Sequence, residues 1–121
     1  MSDTVLIIED NEQNIYLMNF LLEKNGFKVL QAMDGPTGIQ HALSKKVDLI
    51  LLDIQLPGMN GYEVAKILRE NDSLNHIPII AVTSYAMPGD REKALKSGCT
   101  GYIEKPINPA TFLSEMQQYR T

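Results

Sequence analysis

Three short runs of the chain are apolar at every position, and each ends at a polar residue. The runs are Val5–Ile8, Leu49–Leu52 and Ile79–Val82. A strand without hydrophobic alternation is typical of a parallel sheet that helices cover on both faces. Two weaker segments, Lys28–Ala32 and the one around Tyr102–Ile103, complete a set of five predicted strands.

Segments with apolar residues at helical spacing separate these strands. The first runs from Asn11 to Asn25. The second has Pro36 in its first turn, and we expect Ile39, Ala42 and Leu43 to face inward. The remaining helical patterns are one with Val64, Ile67 and Leu68, one near Gly89 to Ser97, and one that starts around Asn108-Pro109 and carries Phe112, Leu113 and Met116.

Strands and helices alternate strictly, which predicts an α/β fold in one domain over residues 1–121. The expected architecture is a five-stranded parallel sheet with helices on both faces. The carboxyl ends of parallel strands meet at one edge, where α/β proteins bind ligands. We expect strands one and three to lie near the centre of the sheet, because they are the most apolar.

Composition narrows the class of protein. The net charge is −4 and no block of Lys and Arg is present, which argues against nucleic acid as a partner. No segment is long and apolar enough to span a bilayer, so we predict no membrane association. With one cysteine, Cys99, no internal disulfide is possible, and we expect a cytoplasmic protein with an inert thiol.

Polar residues that follow the predicted strands are the candidate site. Glu9 and Asp10 follow strand one, Asp53 strand three, Thr83 strand four and Lys105 strand five. Three carboxylates a few Å apart repel each other strongly, and a hard divalent ion such as Mg²⁺ removes the conflict. A hydroxyl and an ammonium group can bind phosphoryl oxygens. Taken alone, Asp10 is equally explained as a helix cap.

With these residues in place, the chain resembles a response-regulator receiver domain over essentially its whole length. The resemblance implies the flavodoxin-like or CheY-like strand order 2-1-3-4-5, an order that receivers exemplify. The matching segments are Val5-Leu6-Ile7-Ile8-Glu9-Asp10-Asn11, Leu52–Gly61, Ile79–Thr83 and Tyr102-Ile103-Glu104-Lys105-Pro106.

The resemblance also implies a function, that of a single-domain response regulator in a two-component system. Asp53 would accept a phosphoryl group from a sensor histidine kinase or phosphotransferase, and Thr83 and Lys105 would hold the phosphoryl oxygens. Tyr102 would turn inward when Thr83 moves, changing the surface of helix four, strand five and helix five for a downstream protein target. The implied Mg²⁺ ligands are Glu9, Asp10, Asp53 and the backbone carbonyl of Gln55.

Two further features are predicted around this site. By the same resemblance, Gln55 and Tyr85 would flank the water that hydrolyses the acyl phosphate, and a bulky Tyr85 is expected to lengthen the phosphorylated state. The Lys105-Pro106 bond is a candidate for a cis peptide. We expect a monomer or weak dimer that catalyses only its own phosphoryl transfer and dephosphorylation.

Several alternatives remain open from the sequence. An enzyme of the haloacid-dehalogenase type needs a second Asp two residues after the nucleophile, where this chain has Gln55. A flavodoxin-like flavin carrier needs a Ser/Thr/Gly-rich loop after strand one, where this chain has Glu9-Asp10-Asn11-Glu12. A phosphorelay intermediate that passes the group onward and a phosphorylation-independent binding module are the other possibilities.

Overall fold

The computed structural model describes residues 3–84 and 88–120. The strands are β1 (Thr4–Ile8), β2 (Lys28–Ala32), β3 (Leu49–Asp53), β4 (Ile79–Thr83) and β5 (Gly101–Glu104). The helices are α1 (Glu12–Lys24), α2 (Gly35–Ser44), α3 (Gly61–Arg69), α4 (Pro88–Lys96) and α5 (Phe112–Gln117), with a short 3-10 helix at Asp72–Leu74.

The five strands form one parallel sheet in the order β2-β1-β3-β4-β5, as the resemblance implied. β1 and β3 are neighbours, and their register pairs Ile8 with Leu52. Asp53 pairs with Val82 on β4, so the ends of the central strands lie side by side. This register places the residues that follow the strands at one edge of the sheet.

Alternate residues of each strand enter two separate hydrophobic cores. Leu6 and Ile8 pack on the face covered by α2, α3 and α4. Val5 and Ile7 pack on the opposite face, which α1 and α5 cover. The continuous apolar runs in the sequence arise because both faces of the strands are covered by helices.

One predicted inward position on α2 is wrong. Ala42 is buried, but Leu43 is 51% exposed. The buried positions are Gly35, Gly38 and Ala42, at spacings of three and four residues. Ile39 packs against the same core, as predicted. A Cβ at Gly38 would lie 2.5 Å from Ile8 Cδ1, so α2 packs too close to β1 for a larger side chain. Small residues rather than Leu43 therefore face the sheet on α2.

The last helix also begins later than predicted. α5 starts at Phe112 rather than around Asn108-Pro109. The Asn108 side chain accepts a hydrogen bond from the backbone N–H of Ala110 at 2.9 Å. The backbone carbonyl of Asn108 accepts a hydrogen bond from the N–H of Phe112 at 2.9 Å. Residues 108–111 therefore form a turn ahead of the helix.

Candidate functional site

The predicted site residues lie together at the carboxyl edge of the sheet. Glu9 directly follows β1, Asp53 and Thr83 end β3 and β4, and Lys105 directly follows β5. Glu9, Asp53 and Thr83 are at most 2% exposed, whereas Asp10 is exposed. Buried charged residues are costly unless they are paired or bind an ion, so this burial sets them apart from ordinary surface acids.

Lys105 connects the two buried carboxylates. Its Nζ lies 2.9 Å from Glu9 Oε1 and 3.4 Å from Asp53 Oδ1. Its backbone N–H donates to the carbonyl of Thr83 at 2.8 Å, which joins the ends of β4 and β5. The Lys105–Pro106 peptide bond is cis, as predicted.

The acidic cluster carries more negative charge than Lys105 balances. One carboxylate oxygen each of Glu9, Asp10 and Asp53 lies within 4.8 Å of the others. Two charges at such a separation repel by about 3–4 kcal/mol at an effective dielectric of 20. Burial raises the pKa of Glu9, Lys105 opposes the shift and Asp53 adds to it, and the net result is a pKa of about 7. Oxygen ligands with this excess of negative charge fit a hard divalent cation such as Mg²⁺.

Backbone groups hold the two buried carboxylates in place. The N–H of Gln55 donates to Asp53 Oδ1 at 2.9 Å, and the N–H of Asn11 donates to Glu9 Oε2 at 3.1 Å. Gly61, at the start of α3, lies against the same loop: a Cβ there would lie 2.5 Å from the Asp53 carbonyl oxygen. The start of α3 therefore packs directly on the backbone that carries Asp53.

Tyr102, the predicted switch residue, lies on β5 opposite Ala81 of β4. It is half-buried and packs against the core beneath α2, α3 and α4. Burial, followed by the carboxylates of Glu104 and Asp90, raises the pKa of its phenol.

Tyr85, to which the sequence assigned a role in shielding the acyl phosphate, lies outside the described residues.

Sequence reasoning missed Ser84. Its hydroxyl donates to the side-chain Oε1 of Gln55 at 2.8 Å, and both side chains are exposed. The bond joins the segment after β4 to the loop after β3, across the edge of the site. The only signal in the sequence was the position of Ser84 directly after Thr83, which does not reveal a side-chain partner 29 residues away.

None of the helices in the described ranges is both long and apolar enough to cross a bilayer.

Comparisons with known proteins agree with this architecture. A model of the response regulator receiver domain family matches residues 5–117. The chain is similar to the polar-differentiation response regulator DivK of Brucella anthropi, with 43% identity over 119 residues, which are 98% of this chain and 97% of that protein.

Two solved structures show the same likeness in three dimensions. The chemotaxis response regulator CheY4 of Vibrio cholerae has a TM-score of 0.94 at 28% identity, covering 98% of this chain and 99% of that one. The receiver domain of a sensor histidine kinase from Pseudomonas aeruginosa, with a magnesium ion in its active site cleft, has a TM-score of 0.89 at 31% identity, covering 98% of each chain.

These matches extend over almost the whole chain and agree with the observed strand order. Receivers are not a classical enzyme family, which leaves the dehalogenase-type alternative without support. By sequence and by fold, the chain belongs to the response regulator receiver domain family.

Proposed function

We propose that this receiver accepts a phosphoryl group on Asp53 from a phosphohistidine of a sensor histidine kinase or phosphotransferase. A carboxylate oxygen attacks the phosphorus, the phosphorus–nitrogen bond breaks, and the imidazole leaves and is protonated. The observation that carries the proposal is the placement of Asp53. Its carboxylate is 2% exposed, 3.4 Å from Lys105 Nζ, and part of the three-carboxylate cluster.

Mg²⁺ is the proposed cofactor. Glu9, Asp10, Asp53 and the backbone carbonyl of Gln55 would hold it, Glu9 mainly through a bound water. The ion would neutralise charge on the carboxylates and on the incoming phosphoryl group. The donor chemistry of the cluster supports this assignment, and a structurally similar receiver domain carries magnesium in its cleft.

Thr83 and Lys105 are the proposed ligands of the phosphoryl oxygens. Lys105 is already paired with Glu9 and Asp53, and its side chain is 14% exposed, so a short movement would bring it to a phosphoryl group on Asp53. A charge-assisted hydrogen bond from an ammonium group to a phosphoryl oxygen is strong in such a buried setting. The chemistry that we propose is limited to phosphorylation of this chain and its reversal.

The output would be a change of surface around Tyr102. As the Thr83 hydroxyl turns toward the phosphoryl group, Tyr102 would turn inward and alter the face formed by α4, β5 and α5. A downstream protein target would read that face, in a cytoplasmic monomer or weak dimer. This is a two-state element that a local charge biases.

Incubation with acetyl phosphate and Mg²⁺, followed by intact-mass spectrometry, tests the proposal. The wild type should gain one phosphoryl group, and Asp53→Asn should gain none. The matched control is Asp72→Asn, which removes an exposed carboxylate from the 3-10 helix and should behave like the wild type. Excess chelator should abolish the gain. A wild type that stays unmodified would leave only the phosphorylation-independent binding module.

A further inference from the structure

Gln55 forms hydrogen bonds through both its backbone and its side chain. Its backbone N–H donates to Asp53 Oδ1 at 2.9 Å, and its side-chain Oε1 accepts from Ser84 Oγ at 2.8 Å. Ser84 in turn directly follows Thr83, the last residue of β4. The two hydrogen bonds therefore connect the proposed phosphoacceptor to the segment that carries the proposed phosphoryl ligand.

We propose that Ser84 is a positioning residue for Mg²⁺ binding and acts through Gln55. The inference rests on the proposed function, in which the backbone carbonyl of Gln55 is a metal ligand. Groups that orient a ligand from outside the coordination sphere commonly change metal affinity, because they fix the geometry that the ion requires. Ser84 itself takes no part in the phosphoryl chemistry.

The loop that carries Gln55 is irregular, although Ile54 and Leu56 on either side of Gln55 are buried in the core. Residues 54–60, between β3 and α3, form neither helix nor strand, and Gly58 has a positive φ of 77°. Without the Ser84 bond, the side chain of Gln55 would lose its hydrogen bond to the segment after β4, and the peptide of Gln55 would sample more orientations. Metal binding would then have to order the loop, which costs conformational entropy.

Loss of the hydroxyl changes no charge, so an effect on Mg²⁺ affinity must come from geometry. Because both side chains are exposed, water competes with the hydrogen bond, and its net contribution is modest. We expect Ser84→Ala to weaken Mg²⁺ binding by about 2- to 10-fold, the range that one net hydrogen bond corresponds to.

Titration calorimetry with Mg²⁺ alone tests the inference on the full chain. Ser84→Thr keeps a hydroxyl and should retain affinity near that of the wild type, and Gln55→Ala should lose as much as Ser84→Ala. The double variant should be no weaker than either single variant, because both remove the same bond. The matched control is Ser44→Ala. The hydroxyl of Ser44 donates to the carbonyl of Gln40 in its own helix, away from the site.

A second readout separates positioning from misfolding. Phosphorylation by acetyl phosphate, measured at increasing Mg²⁺, should shift its midpoint to higher Mg²⁺ in Ser84→Ala and reach the wild-type rate at saturation. A variant that failed to fold would instead have a lower plateau.

The outcomes separate this inference from the function on which it rests. A wild type that binds Mg²⁺ together with a Ser84→Ala of equal affinity overturns the inference and leaves the proposed function standing. Ser84→Thr as weak as Ser84→Ala also overturns it, since the hydroxyl would not be the cause. A wild type that binds no Mg²⁺ overturns the proposed metal role, and this inference with it.

Discussion

At the scale of single residues, Lys105 has two roles that can be separated. It forms ion pairs with Glu9 and Asp53 before phosphorylation, and we propose that it holds a phosphoryl oxygen afterwards. Removing it should leave Asp53 able to accept the group, because the nucleophile and the proposed metal ligands remain. The movement of Thr83 and Tyr102 should fail, because one contact that draws the structure toward the phosphoryl group is missing.

The prediction is that phosphorylated Lys105→Ala keeps the unphosphorylated NMR spectrum around Tyr102, whereas the phosphorylated wild type changes it. Heteronuclear NMR spectra recorded before and after acetyl phosphate treatment measure this, and mass spectrometry verifies that both proteins are phosphorylated. Lys66→Ala, an exposed lysine on α3, is the control. Wild-type-like shifts in Lys105→Ala would show that the coupling runs through other residues.

Cys99 gives a prediction about reactivity. Burial raises the pKa of its thiol to about 12, from an ordinary 9.0, against the smaller opposing effect of Arg69. At pH 8 the folded protein should hold about 1,000-fold less thiolate than the unfolded chain, because three pKa units separate them. Iodoacetamide should therefore label Cys99 slowly in buffer and rapidly in urea, as mass spectrometry can follow. Equal rates in both would contradict its burial.

The raised pKa of the Cys99 thiol also predicts how the stability of the protein depends on pH. Above pH 9 the thiol of the unfolded chain ionises while the folded one stays protonated, so the folded state binds more protons. Stability should fall as pH rises from 9 toward 12, and replacing the thiol in Cys99→Ala should remove that contribution.

At the scale of elements, the contact between α3 and the loop after β3 leaves no room for a side chain at the start of α3. A Cβ on Gly61 would lie 2.5 Å from the Asp53 carbonyl oxygen and 2.6 Å from Ile54 Cα, both backbone atoms that cannot rotate away. Gly61→Ala should therefore destabilise the protein by about 1–3 kcal/mol in urea denaturation. It should also weaken Mg²⁺ binding, since the backbone of Asp53 must shift.

Gly89→Ala provides the matched control for this substitution. Gly89 also lies in the first turn of a helix, α4, but a Cβ added there would have nothing within 4 Å. Alanine has the higher helix propensity, so this change should be neutral or slightly stabilising. If both variants unfolded at the same urea concentration, the close approach of α3 to Asp53 would not be energetically important.

The elements also show how far the sequence could predict the structure. The positions of Glu9, Asp53, Thr83 and Lys105 followed from strand ends alone, because a parallel sheet brings those ends together whatever the side-chain details. The inward face of α2 followed only in part: Ile39 and Ala42 pack on the core, but Leu43 does not. The hydrophobic pattern of α2 includes Leu43, but that residue is exposed. Gly38 faces β1 because the two elements are too close for a larger side chain, and hydrophobic periodicity does not predict that distance.

The hydrogen bond between Ser84 and Gln55 lies beyond sequence prediction for a different reason. Its residues are adjacent only because two loops have a particular relative placement, and its strength depends on the side-chain rotamers. The α5 boundary is a similar case, since the Asn108 side chain bonds the turn instead of capping a helix that starts there.

At the scale of the whole molecule, the site concentrates negative charge that we expect to lower the stability of the fold. The carboxylates of Glu9 and Asp53 are almost fully buried at the edge of a sheet whose interior is otherwise apolar. Asp10 adds a third negative charge within 4.8 Å, and Lys105 compensates for part of the total. Active sites commonly retain such unfavourable arrangements because the function needs them.

Neutralising one of these charges should therefore stabilise the protein when no divalent cation is present. We expect Asp53→Asn to increase the free energy of unfolding by about 1 kcal/mol, a few degrees in melting temperature, in buffer with chelator. The substitution relieves repulsion from Glu9 and Asp10, and its amide oxygen can still accept the hydrogen bond from Gln55 N. Asp72→Asn, on the exposed 3-10 helix, should stay within about 0.5 kcal/mol of the wild type.

Mg²⁺ should make the wild type more stable than Asp53→Asn. A ligand that binds only the folded state stabilises it by about 2.7 kcal/mol at 100 times its dissociation constant. The wild type should gain this stabilisation and Asp53→Asn should gain less, because it has lost a charged ligand. Plots of melting temperature against Mg²⁺ concentration should cross for the two proteins. The variant should be more stable at low concentration and the wild type at high concentration. A variant that melts below the wild type in chelator would mean that Lys105 already compensates fully for the buried carboxylates.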